Sequence, residues 1–318
     1  MLHKITLQTL NLLATIAALG FVAARTLAAD DAAAATLASS TPDSIEARRA
    51  LFAYDRTAGF GLEEKRVEIR GGAQIRDVSF LATPGANGRV AAYLVRPREQ
   101  PVRAAILWVH WLGEPATTNR TEFLDEAVAL AGRGVVSLLV DTMWAKPRWY
   151  RDRVLDDDYK NSVVQVIALR RAMDLLAQQP GAAPLAIVGH DYGGMYATIA
   201  AGLEPRAKTC VFIACTASLR DWAFFQKQPA AMEAYLRENR PLELCDYLAT
   251  LQGASLLFQC AEHDQYVPLV KAQEFFAAAP PTKQMIVYGG AEHSMSSPAN
   301  IRLDRTAWLA RELGLDRD

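Results

Sequence analysis

The chain has 318 residues, a formal net charge of −1 and 51% hydrophobic residues. So neutral a chain carries no electrostatic footprint for nucleic acid, and so apolar a chain is not a disordered one. Its length suits one large domain or two small ones.

The N-terminus reads as an export signal, residues 1–29. His3 and Lys4 form a short basic region, 7–24 is mostly apolar, and small residues follow at Ala23-Ala24 and Ala28-Ala29. An uncleaved membrane anchor is the alternative, although Asn11, Thr15 and Arg25 leave the run short for a span. After cleavage no stable membrane insertion is expected, and the location is periplasmic or secreted. Residues 30–43 are rich in Ala, Ser and Thr and read as a flexible tether.

The folded part, 44–318, opens with a helix at 44–54. Strands at 66–69 and 75–82, a turn at 84–88 and a strand at 90–95 make a hairpin. From there strand and helix alternate. Residues 104–110 are an apolar run of the kind that fills a buried parallel strand. A helix at 122–133 carries Phe123, Ala127, Leu130 and Ala131 on one face, and a strand at 135–140 ends in Asp141. A long helix at 158–178 precedes strand 185–188 and helix 195–202. Strands at 209–214, 256–260 and 285–288 and helices at 270–278 and 301–313 complete the pattern. An insertion at about 217–253 reads as a short helical cap. The fold class is α/β, a mostly parallel sheet with helices on both faces.

Chemistry in such sheets gathers at the carboxyl ends of strands. Gly189-His190-Asp191-Tyr192-Gly193-Gly194 reads as a sharp strand-to-helix turn. Its pattern is Gly-x-Asp-x-Gly, with aspartate where the better-known elbow carries serine. Such a turn lifts the central side chain out of the sheet beside the positive end of a helix. A carboxylate there is a poor acyl-transfer nucleophile but a reasonable one toward a saturated carbon bearing a leaving group. Asp264 follows the strand at 256–260 and His293 follows the last one, so nucleophile, acid and histidine occur in that order. A histidine held by a second carboxylate takes a proton from water near neutral pH.

These motifs resemble the α/β-hydrolases over residues 66–313. His110-Trp111-Leu112-Gly113 looks like the oxyanion turn, the Asp191 segment like the elbow, Asp264-Gln265-Tyr266-Val267-Pro268 like the acid loop and Ala291-Glu292-His293 like the histidine loop. The helix containing Arg170-Arg171-Ala172-Met173-Asp174 resembles the dienelactone-hydrolase-like and acetyl-xylan-esterase-like branch. Gly-His-Asp plus an aromatic instead resembles haloalkane dehalogenases and epoxide hydrolases. The resemblance implies Asp191 as nucleophile, His293 as base and Asp264 as the group that orients it. It implies oxyanion donors at the Tyr192 and Leu112 amides, or that of Trp111, and no metal or organic cofactor. Trp111 would stand in for the halide-binding tryptophan that Tyr192 replaces, and Tyr235 and Tyr247 are the cap tyrosines available to an epoxide. The implied partner is a small molecule carrying an ester, lactone, halide or epoxide; the branch favours the first two and the aspartate the others.

Other readings remain beside this one. Asp191 could be a capping residue, or the chain a degenerate hydrolase that only binds a small molecule. Asp264 could form a turn and His293 could be an ordinary loop histidine. His190 reads as packing under the elbow and His110 as a hydrogen-bonded turn residue. Glu262, His263, Glu292 and His293 lack a metal-ligand spacing. Trp144, Trp149 and Tyr150, interleaved with Lys146, Arg148, Arg151 and Arg153, read either as a packed loop or as a pocket wall where arginine holds an anion. Trp222, Phe224 and Phe225 would cover the same mouth. Asp156, Asp157 and Asp158 read as a solvated helix start. Cys210, Cys215, Cys245 and Cys260 have no zinc or C-x-x-C spacing, leaving pairing and burial as free thiols both open.

Overall fold

Apolar residues at consecutive positions, rather than alternating ones, mark the middle of the sheet. β4 (Ala104–Val109), β5 (Val135–Val140) and β6 (Leu185–His190) are buried along their whole lengths, as strands covered on both faces must be. The computed structural model describes residues 44–83, 88–114, 118–218, 220–221 and 227–316. The candidate signal and tether lie outside the described residues, as do Trp222, Phe224 and Phe225. Among the described residues no helix is long and apolar enough to cross a membrane. One compact unit, from Arg49 onward, holds the sheet and the candidate site discussed below.

The remaining strands are β1 (Glu63–Arg70), β2 (Ala73–Leu81), β3 (Arg89–Pro97), β7 (Ala207–Ile213), β8 (Ser255–Ala261) and β9 (Lys283–Tyr288). All nine form one sheet in the order β1-β2-β3-β5-β4-β6-β7-β8-β9. β1, β2 and β3 form an antiparallel meander, β3 runs antiparallel to β5, and β4 to β9 are mutually parallel. β1 exceeds the expected 66–69 at both ends. Its charged residues face solvent, and pairing with β2 rather than burial draws them into the strand.

The described helices are α1 (Ile45–Leu51), α2 (Leu124–Ala131), α3 (Trp149–Asp152), α4 (Asp158–Ala177), α5 (Tyr192–Leu203), α6 (Met232–Glu238), α7 (Leu244–Leu248), α8 (Leu269–Ala278) and α9 (Asn300–Glu312). α4 packs on α5, α5 on α7, and α2 on α9. α6 and α7 lie in the insertion expected to form a cap. α7 lies against α5, where a Cβ on Gly202 would meet the Tyr247 carbonyl oxygen at 2.6 Å and Thr250 Oγ1 donates to the Gly202 carbonyl at 2.9 Å. Cys210, Cys215 and Cys260 are buried, Cys245 is half-buried, and all four are free thiols. Burial pushes Cys210 and Cys260 up to about 12, so neither is a thiolate at neutral pH.

α2 and α9 are joined by a buried ion pair. Arg305 Nε donates to Glu126 Oε1 at 2.8 Å, and its Nη1 donates to Gln259 Oε1 at 2.7 Å. Burial raises the Glu126 carboxyl despite the neighbouring Arg305, so the pair is held against a desolvation cost. Glu126→Ala, which strands Arg305, is expected to lower unfolding free energy by about 3–5 kcal/mol, measured by urea titration.

Candidate active site

The site begins with the glycines around Asp191. A Cβ on Gly193 would lie 2.3 Å from the Val109 carbonyl oxygen, and one on Gly189 would lie 2.5 Å from Gly194 Cα. Only glycine lets α5 start this close to β4 and β6. The turn forces Asp191 to φ 49°, ψ −120°, a strained conformation for a residue with a side chain. Two backbone bonds hold it there: Asp191 N–H donates to Ile213 O at 2.8 Å, and Met195 N–H to Asp191 O at 2.9 Å. α5 therefore begins at Tyr192, three residues before the expected start, because Asp191 itself is its N-cap.

The structure brings Asp191, His293 and Asp264 together. The two oxygens of Asp191 have different surroundings. Oδ2 accepts the Leu112 N–H at 3.3 Å, and Oδ1 lies 3.7 Å from His293 Nε2. His293 Nδ1 lies 2.9 and 2.8 Å from the two Asp264 carboxylate oxygens, so Nδ1 carries the proton and Nε2 is turned toward Asp191. Asp264 Oδ1 in turn accepts the Tyr266 and Val267 amides at 2.9 and 2.8 Å. Asp191 and His293 are 6% and 4% exposed. Burial alone would lower the pKa of His293. The charges and hydrogen bonding of Asp191 and Asp264 outweigh it and push the imidazole up to about 10, so at neutral pH it is an imidazolium between two carboxylates.

A cavity of about 690 Å³ opens above Asp191. Trp111, Trp149, Tyr150 and Tyr266 contribute aromatic lining, and Lys146, Arg148 and Arg151 contribute basic side chains. Trp111 stands edge-on to His293 at 5.4 Å and Tyr266 does the same at 4.9 Å. Trp144 is also part of the lining, yet it is 1% exposed. Its indole N–H donates to the His110 carbonyl at 3.1 Å, and its ring stacks on Tyr196. It is a floor beneath Tyr192 rather than a polar contact for a ligand.

Several expectations need correction. The Trp111 amide is not an oxyanion donor, because it donates to Glu122 Oε2 at 2.9 Å; its indole ring, not its amide, belongs to the cavity. Neither cap tyrosine reaches the site: Tyr235 Oη donates to Asp158 Oδ2 at 2.7 Å, and Tyr247 Oη to the Pro241 carbonyl. Arg153 is buried with its guanidinium 4.4 Å from the Tyr150 ring centroid and 3.7 Å from Asp158, so it is not available to an anion. Asp158 is buried rather than solvated, and burial raises its pKa despite Arg153. His110 is a turn residue as expected, with Nδ1 2.9 Å from the Trp111 carbonyl and Nε2 2.9 Å from Thr142 Oγ1. Among the described residues no three His, Cys, Asp or Glu are grouped to hold a metal ion.

With strand order, elbow and site together, the architecture can be compared with solved structures. Acetyl xylan esterase 1 from Thermoanaerobacterium sp. JW/SL YS485 superposes with a TM-score of 0.66, covering 85% of this chain and 93% of its own at 16% identity. The chain has the α/β-hydrolase fold. Acetyl xylan esterase from Paenibacillus sp. R4 gives 0.65 over 84% and 92% at 15% identity, and the esterase domain of a Rhodothermus marinus protein gives 0.57 over 76% and 100% at 21%. At such identities the likeness to these α/β-hydrolase-fold proteins is one of fold. No protein-family model and no curated protein matches the sequence.

The charge on His293 gives a test. Nuclear magnetic resonance titration of the imidazole is expected to show its proton leaving near pH 10 in the wild type, and at a markedly lower pH in Asp191→Asn. The linked stability has a definite sign. The folded-state value lies above the reference 6.5, so the stabilisation is complete below about pH 6.5 and is lost as pH rises through about 10. Unfolding midpoints should fall across that window in the wild type and change less in Asp191→Asn.

Proposed function

We propose that this protein is an exported hydrolase that displaces a leaving group from a saturated carbon of a small organic molecule, through an ester on Asp191. The observation that carries this reading is the division of labour between the Asp191 oxygens. Oδ2 is anchored by the Leu112 amide and Oδ1 stands 3.7 Å from His293 Nε2, so the oxygen beside His293 is the one to attack while the other is held to become the ester carbonyl.

Carboxylate chemistry supports the same choice. If Asp191 attacked an acyl carbon, the tetrahedral species would expel either a carboxylate, whose conjugate acid has a pKa of roughly 4, or an alkoxide close to hydroxide, at roughly 16. It would collapse back to reactants. At a saturated carbon no such reversal competes, and the alkyl ester formed is stable until water is activated.

The proton inventory closes. In the resting state His293 is protonated and Asp191 ionised. Oδ1 forms a bond to carbon as the leaving group departs with its electron pair, and Asp191 becomes a neutral ester. The Asp191 charge that raised the His293 pKa is then gone, so His293 releases its proton to solvent and becomes a base. It takes a proton from water, and the hydroxide attacks the Asp191 carbonyl carbon. The oxyanion develops on Oδ2, against the Leu112 amide and the first amide of α5 at Tyr192. Expulsion of the alcohol restores the carboxylate beside a protonated His293, which is the resting state.

The structural neighbours named as esterases point to ester substrates. Alkyl esters reconcile the two lines: attack at the alkyl carbon expels a carboxylate, a good leaving group. A second reading follows from the same neighbours, with Asp191 acting as a general base that activates water against an acyl carbon. The test incubates His293→Gln with 1-bromobutane, styrene oxide, γ-butyrolactone and 4-nitrophenyl acetate, followed by peptide mass spectrometry. An alkyl mass increase on the Asp191 peptide is expected, and its size identifies the substrate class. Ester turnover by the wild type with no adduct in His293→Gln would transfer the assignment to the second reading. Ligand binding retained in Asp191→Asn, with no turnover by the wild type, would leave a binding protein.

A further inference from the structure

Directly beneath the triad lies a second histidine and carboxylate that the proposed reaction does not use. His190 is 1% exposed. Its Nδ1 is 2.7 Å from Glu122 Oε1, and its Nε2 is 2.9 Å from the backbone carbonyl oxygen of His293. Glu122 uses its other oxygen, Oε2, to accept the Trp111 amide at 2.9 Å. Trp111 also stacks its indole on the His190 ring at 5.3 Å.

Hydrogen-bond accounting determines the protons. A backbone carbonyl only accepts, so His190 Nε2 must carry a proton. Glu122 and Nδ1 also share one proton across 2.7 Å. Glu122 already acts as an acceptor toward the Trp111 amide, so the shared proton is placed on Nδ1, which donates to it. Both ring nitrogens are then donors, and both are satisfied inside the protein.

We propose that His190 is a fixed imidazolium, paired with Glu122, and that the pair positions both halves of the site. Through Glu122 it holds the Trp111 amide away from Asp191, which leaves the Leu112 amide as the donor facing Oδ2. Through Nε2 it holds the His293 backbone, and so sets the distance between the base and Asp191. The groups that face His190 are Glu122 ahead of α2, His110 and Trp111 from the turn after β4, Asp191 beside it in the chain, and His293 from the loop after β9, whose ring centroid is 5.8 Å away. Once Asp191 is an ester, Glu122 and Asp264 supply two negative charges. The positive charge at His190 leaves this buried cluster singly rather than doubly negative when His293 gives up its proton, and so assists that release. This last role rests on the proposed reaction; the proton count and the positioning do not.

The test is nitrogen-15 spectroscopy of the full chain with labelled histidine, assigned through the contact of the His190 ring with the Trp111 indole. Both His190 ring nitrogens are expected to carry protons at pH 7. In Glu122→Gln at the same pH one of the two N–H protons should be lost, and the Trp111 amide proton should move upfield as its charged acceptor disappears. A His190 ring with a single N–H in the wild type would overturn the proposal, whatever becomes of the covalent mechanism. Should Glu122→Gln not fold, the wild-type spectrum decides alone. An Asp191 adduct that failed to form beside an intact imidazolium signature would overturn the reaction and leave the pair standing.

Discussion

A Cβ on Gly193 would sit 2.3 Å from the last carbonyl of β4, and that contact organises the site. It lets α5 start against the sheet, and the resulting turn tips Asp191 above the strand ends. The same approach brings the turn after β4 close enough for the Leu112 amide to meet Asp191 Oδ2. Three glycines, at 189, 193 and 194, make this possible because each would otherwise drive a methyl group into backbone or into Cys215 Sγ. Asp191 and the Leu112 amide are thus fixed against each other by packing alone.

Charge is arranged around that frame as a series of buried pairs. Asp264 is held by two amides, so it cannot turn away from His293. His293 is held by Asp264 on one side and by its own backbone bond to His190 on the other. Arg153 and Asp158, and Arg305 and Glu126, repeat the theme farther out. In each pair the charge is worth little as a stabiliser but costly to strand, so the pairs rigidify the shell rather than strengthen the fold.

Most of the fold was legible in the chain because the central strands are continuous apolar runs and the helices carry clear stripes. The expected strand at 135–140 coincides with β5, and that at 104–110 with β4 to within one residue. The order of Asp191, Asp264 and His293 was legible too, since each follows a strand. What escaped were roles created only by three-dimensional contact. Glu122 reads from sequence as an acid at a helix start, with nothing to tie it to His190, 68 positions away. Asp158 reads the same way, yet Tyr235 and Arg153 bury it. The cap tyrosines failed for the converse reason: sequence gives their presence in an insertion, not the direction they face. Trp111 lines the cavity, but the use of its amide depended on the unrecognised Glu122.

Backbone conformation adds an energetic dimension. Among the described residues the non-glycine positions with positive φ are Arg148, Asp191, Ala214 and Met295. Arg148 and Asp191 line the cavity, Ala214 directly follows β7, and Met295 follows His293 by two residues. At about 1–3 kcal/mol each, they store about 4–12 kcal/mol, comparable to the whole net stability of an ordinary domain, about 5–15 kcal/mol. The cavity end of this molecule is therefore held tense by the apolar sheet beneath it. Thermal tolerance and site geometry draw on the same reserve, and a lineage under pressure for heat resistance would find its easiest gains by relaxing Ala214 or Met295 to glycine, at the risk of loosening the elbow and the His293 loop.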